Sequence, residues 1–106
     1  MAGELVIIFI TAASEQEAAS ISKALVEEGL IACANIIPQI RSLYRWEGKI
    51  WDEREWLLTI KTKRDRFDDL EKHIKSLHSY SAPEIIALPV VEGSSSYLKW
   101  VEEMTE

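Results

Sequence analysis

Polar and apolar positions along the chain fall into two periods, and the switches between them mark the elements. Leu5 to Ile10 is an unbroken apolar run. A run with no alternation suits a strand buried on both faces, so Glu4–Thr11 is predicted to be a central strand. The period then lengthens. Ala18, Ile21 and Leu25 recur at three and four residues, as one face of a helix does. Ser14 with Glu17 has the S-x-x-E spacing of a capping box, and Gly29 stands where a left-handed residue closes a helix.

From Leu30 to Lys63 the pattern is strand-like on both sides of Trp46-Glu47-Gly48-Lys49. Gly48 can adopt the positive φ of a tight hairpin loop. In the second arm Trp56, Leu58 and Ile60 face one way, and Glu55, Thr59 and Lys61 the other. Pro38 interrupts the first arm. It cannot donate to a ladder, so it marks a bulge or an edge. If Ile31 to Trp46 is one bent strand, it spans roughly 50 Å at about 3.3 Å per residue. A domain of this size has a radius of gyration of about 13 Å and a diameter of roughly 35 Å. The hairpin is therefore expected to project, carrying Tyr44, Trp46, Ile50, Trp51 and Trp56 on its outer part. An apolar ribbon of that kind is expected to pack on other copies of the chain.

Phe67, Leu70, Ile74 and Leu77 give a second helical face, with Asp65 as its expected N-cap. His78 to Pro83 reads as a loop. Glu84–Val91 reads as a last strand with Pro89 at an edge. Ser94 to Ser96 precede a terminal helix whose apolar side is expected to be Tyr97, Trp100, Val101 and Met104. The order is β-α-β-β-α-β plus a helix. Right-handed crossovers place both internal helices on one face of the sheet. The expected fold is thus α+β, a ferredoxin-like sandwich with a long hairpin between its second and third strands and a C-terminal helix, in one domain over residues 1–106. The other sheet face needs cover, which symmetric oligomerisation can supply.

Composition narrows the chemistry. Over 106 residues the net charge is −6, which disfavours a nucleic-acid partner. Charged residues are 28% and well mixed, and 47% hydrophobic content supports a packed core without disulfides. Cys33 is the one cysteine, so a reducing compartment is the simple expectation. The N-terminal apolar run lacks a basic flank and is too short to span a bilayer. A cytoplasmic location with no membrane partner is expected. The sequence has no P-loop, G-x-G-x-x-G, G-x-S-x-G, C-x-x-C or H-E-x-x-H. The acidic clusters at Asp52-Glu53 and Asp68-Asp69 lack the calcium-loop pattern. No catalytic turnover is expected.

Three strings carry a resemblance: EEGLIACANIIPQIRSLYRWEGKI, LLTIKT and LHSYSAPEIIALPVVEGSSSYLKWV. The combination of A-C-x-N-I-I-P, Y-x-W-E-G-K-I and P-E-I-I-A-L-P resembles the CutA family of divalent-cation tolerance proteins. The resemblance covers nearly the whole chain. It implies a ferredoxin-like fold, a homotrimer with interlocked hairpins akin to the nitrogen-regulatory PII proteins, and binding of divalent metal ions, copper among them. Where that family commonly reads H-P-Y-E-x-P-E, this chain has Ser81 in place of the first Glu.

The candidate metal ligands are Cys33, His78 and Glu84. Cys33 offers a soft thiolate that suits copper, or else packs as a small buried residue. His78 and Glu84 are competent ligands at no sharp motif spacing. His78 near a helix C-terminus also has an electrostatic reason to be there. Arg41, Tyr44, Trp46, Lys61, Tyr80 and Trp100 are the candidates for a cleft between subunits. There Arg41 and Lys61 would favour a small anionic metabolite, the alternative function being a PII-like trimeric sensor.

Overall fold

The computed structural model describes residues 4–106. Four strands, β1 (Leu5–Ala12), β2 (Cys33–Trp46), β3 (Lys49–Lys63) and β4 (Ile85–Pro89), form one antiparallel sheet in the order β2-β3-β1-β4. Helix α1 (Glu15–Glu27) links β1 to β2, and α2 (Phe67–Leu77) links β3 to β4. Helix α3 (Ser95–Met104) ends the chain. Parallel β1 and β2 flank β3, and parallel β3 and β4 flank β1, which is the split-βαβ, ferredoxin-like arrangement.

Helices α1 and α2 share one face. Val6, Ile8 and Ile10 of β1 and Leu58 and Ile60 of β3 pack there against Ala18, Ile21 and Leu25 of α1 and Leu70 and Ile74 of α2. The unbroken apolar run of β1 follows from its central place between β3 and β4. Helix α1 starts where Ser14 Oγ accepts the Glu17 N–H at 3.1 Å. Its end is a Schellman closure. Gly29, at φ +72°, donates to the Val26 carbonyl, and Leu30 donates to Leu25.

The hairpin matches its expected form. Glu47 (φ +52°) and Gly48 (φ +76°) form a two-residue loop between the paired Trp46 and Lys49. Two successive positive φ values are the primed-turn geometry that matches strand twist. The β2–β3 register shifts between Ile37 and Ile40, at Pro38 and at Gln39 with φ +53°. Pro38 therefore sits at a bulge and on an edge strand. The molecule measures 46 × 25 × 22 Å, its long axis matching a strand of this length.

Three expectations are corrected. Asp65 is not an N-cap: it lies in a 3-10 turn (Arg64–Arg66), and α2 begins at Phe67 without a side-chain cap. Trp56 is not on the projecting part of the hairpin. It pairs with Ala12 and packs on the main core, because β3 continues past the hairpin into the centre of the sheet. On α3 only Val101 of the expected apolar side is buried, joined by Leu98 against Leu5 and Ala32. Tyr97, Trp100 and Met104 stay exposed, because α3 lies on the sheet face away from α1 and α2 and no described residue covers its far side.

Candidate functional site

Helix α3 covers only one end of the open sheet face. At the other end, where the hairpin leaves the sheet, a groove of about 810 Å³ runs along the hairpin as far as its turn at Glu47 and is flanked by the segment after α2. Its walls include Tyr44, Trp46 and Trp51 from the hairpin and Tyr80 and Glu84 from the segment. Its floor includes Thr11 and Glu55. Glu55 is two residues before Leu57, which pairs with Thr11, so alternation puts all three on the open face.

The segment between Leu77 and Ile85 has no regular backbone pairing, and three side chains hold it. His78 uses both ring nitrogens. Its Nδ1 accepts the Tyr80 N–H at 3.0 Å, which leaves the ring proton on Nε2 to donate to the Thr11 carbonyl at 2.7 Å. Glu17 accepts from Ala13 N–H at 3.0 Å and from Ser79 N–H at 2.8 Å, tying the β1–α1 turn to the segment. This departs from the capping box, whose carboxylate returns to the N-cap amide itself. Tyr80 rests against the His78 ring at 4.7 Å between centroids and donates its hydroxyl to Glu55 Oε2 at 2.8 Å.

The electrostatics of the groove are acidic. Glu55 is only 6% exposed. Burial pushes the Tyr80 phenol well above its ordinary range, and the hydrogen bond and charge of Glu55 add to the shift. Burial also raises the Glu84 carboxyl, with repulsion from Glu55 adding to it. Tyr44 is raised as well, by desolvation first and then by the charges of Glu53 and Glu55. Arg41 lines the groove, but its guanidinium is held in a two-pronged pair with Asp52, at 2.8 and 2.6 Å.

Of the sequence candidates, the structure thus brings Arg41, Tyr44, Trp46, Tyr80 and Glu84 to one groove, with His78 behind it. Cys33, Lys61 and Trp100 lie elsewhere. Cys33 and Lys61 are paired neighbours at the α3 end of the open face, six residues along β3 from Glu55, or roughly 20 Å at about 3.3 Å per residue. There Cys33 Sγ lies 3.6 Å from the Tyr97 hydroxyl, and Lys61 donates to Asn35 Oδ1 and to Thr59 Oγ1. The Trp100 ring lies tilted beside that of Tyr97 on α3, 5.7 Å between centroids. Among the described residues, no group of three or more His, Cys, Asp or Glu side chains could hold a metal ion. Sequence reading missed Glu55 and Glu17. Glu55 has no local signal of burial in the alternating second arm, and Tyr80, which bonds to it, is 25 residues away in sequence.

The fold class is a split-βαβ sandwich with a projecting hairpin and an acidic, aromatic-walled groove on its open face. The comparisons narrow this. Residues 6–104 match the family of the CutA1 divalent ion tolerance protein, and the chain belongs to that family. It is 48% identical over 99 residues to the divalent-cation tolerance protein CutA of Thermus thermophilus, covering 93% of this chain and 96% of that one. It is 43% identical to mouse CutA, matching 98% of this chain but spanning only 59% of the mouse protein. The crystal structure of CutA1 from Oryza sativa superposes with a TM-score of 0.96 at 36% identity, over 99% of this chain and 96% of that one. The names of other members place them in the chloroplast or, in one archaeon, the periplasm. Among the described residues, no helix is long and apolar enough to cross a membrane.

Proposed function

We propose that this chain works as a cytoplasmic homotrimer that binds divalent metal ions, copper foremost, in tolerance to those ions, and that it catalyses no turnover. Membership of the divalent ion tolerance family supports the metal reading. The observation that carries the assembly is apolar surface that one chain leaves uncovered. Leu43 (63% exposed) and Ile50 (72%) lie on the hairpin, and Ile86, Leu88 and Val91 (87%) lie on or after β4. Water contact over this much aliphatic surface is unfavourable, and a second and third copy would remove it.

Cys33 and Glu84 are the proposed ligands. They sit at opposite ends of the open face, so a shared ion would draw them from different copies. A thiolate suits copper, and a carboxylate can complete the coordination. His78 could join only by giving up one of its two hydrogen bonds, since each ring nitrogen already has a partner. The alternative, a sensor that binds a small anionic metabolite through Arg41 and Lys61, finds no matching observation. Asp52 already holds Arg41, and Lys61 is engaged outside the groove.

Light scattering tests the assembly. Three chains of 12.1 kDa should give about 36 kDa, and a monomeric mass at micromolar concentration would overturn the trimer. Calorimetric titration of the reduced protein with copper tests the site. Wild type should bind stoichiometrically and Cys33→Ser should not; equal behaviour would make Cys33 packing only.

A further inference from the structure

We propose that the hairpins of the trimer put forward above, a reading on which this one rests, meet head to tail. The basic, aliphatic side of one hairpin seats on the acidic, aromatic side of its neighbour's, bringing Arg45 and Arg54 of one copy against Glu53 and Glu84 of the next.

Strand alternation sorts the hairpin into two unlike sides. Leu58 and Ile60 of β3 face the helices. Counting by twos along β3 puts Arg54, Asp52 and Ile50 on that same side. Beyond the bulge the ladder pairs them with Arg41, Leu43 and Arg45, which share it. Glu55, Glu53 and Trp51 point to the open face, where Tyr44 pairs with Trp51 and Trp46 with Lys49. Glu84 faces them across the groove.

Charge separates the two sides. The helix side carries three arginines against one aspartate, and Asp52 is taken by Arg41. Arg45 and Arg54 make no ion pair among the described residues. The open side carries Glu53, Glu55 and Glu84 against the ammonium of Lys49, which sits over the Trp51 ring. Like sides would repel and unlike sides attract. Guanidinium planes also stack on tyrosine and tryptophan rings, which the open side supplies in Tyr44 and Trp46. The same contact covers Leu43 and Ile50, both exposed in one chain. Opposite sides of one ribbon cannot both meet the same neighbour across a two-fold axis. The contact is therefore heterologous, each hairpin gives one side to each of two neighbours, and the series ends when a ring closes.

The test reverses each side and then both, without added metal because Glu84 is also a proposed ligand. Arg45→Glu with Arg54→Glu inverts the helix side, and Glu53→Lys with Glu84→Lys inverts the open side. Each should set like charges face to face and raise the dissociation constant of the assembly about a hundredfold or more, read by sedimentation velocity over a concentration series. All four changes in one chain invert both sides of every contact, and should return assembly to within about tenfold of wild type. Lys23→Glu with Lys72→Glu makes the same charge change on the exposed surface of α1 and α2 and should leave the mass unchanged. Where a one-sided chain fails to fold by circular dichroism, recovery of fold and mass in the four-change chain supports the pairing. A four-change chain that assembles no better than its one-sided parents overturns it. A wild-type trimer that tolerates either one-sided reversal also overturns the head-to-tail contact and leaves the trimer standing. A monomeric wild type overturns both.

Discussion

Replacing His78 with alanine separates two roles that its position allows. In the structure the ring bridges Thr11 on β1 and the Tyr80 amide, and it rests at a tilt against the Tyr80 ring. Alanine removes two hydrogen bonds, each contributing about 1 kcal/mol net. It also removes an aromatic contact that contributes about 0.5–1 kcal/mol. His78 is half-buried, so water can reach the Thr11 carbonyl and the Tyr80 amide once the ring is gone. That favours the low end of the sum, about 2 kcal/mol. For a chain of this length such a loss lowers Tm by about 10 °C. Thermal unfolding at matched chain concentration measures it, and copper titration of the same variant reads the other role. A structural His78 gives a lower Tm with copper stoichiometry retained. An unchanged Tm with lost copper binding would refute the reasoning and make His78 a ligand.

Two further perturbations test the local accounts. Gly29→Ala places a Cβ on a residue at φ +72°, against the Glu106 carboxylate. The side chain of Glu106 can move, so the cost is chiefly the left-handed backbone, about 1 kcal/mol, or roughly 5 °C in Tm; a neutral substitution would contradict the Schellman closure. Burial opposes the charge on Glu17, but backbone N–H donors from Ala13 and Ser79 outweigh it and hold the carboxyl below its ordinary value of 4.5. A lowered folded value means stabilisation that is full above that pH and is lost as pH falls through the folded value. The stability gap between wild type and Glu17→Gln should therefore narrow below about pH 4.5. A gap independent of pH would show that the carboxylate is not the tie between the two segments.

Much of this protein can be read from neighbouring residues. The uninterrupted run of β1, the stripe of α1, the Ser14 and Gly29 stops, the Glu47-Gly48 loop and the Pro38 bulge all depend on backbone preferences and periodicity within a few residues. The projection of the hairpin followed from counting residues. What the sequence did not determine is which partners distant segments meet. Whether Trp56 faces the core, which side of α3 is covered, and which hairpin acid is buried depend on contacts made across the fold. Tyr80 reaches Glu55 across 25 residues, and His78 reaches Thr11 across 67. Neither pairing has a local signal, because a side chain's burial and charge environment are set by whatever the completed sheet and its crossovers bring against it. The groove exists for the same reason: its floor comes from the two central strands and its walls from the hairpin and the segment after α2, and only the closed tertiary structure sets them face to face.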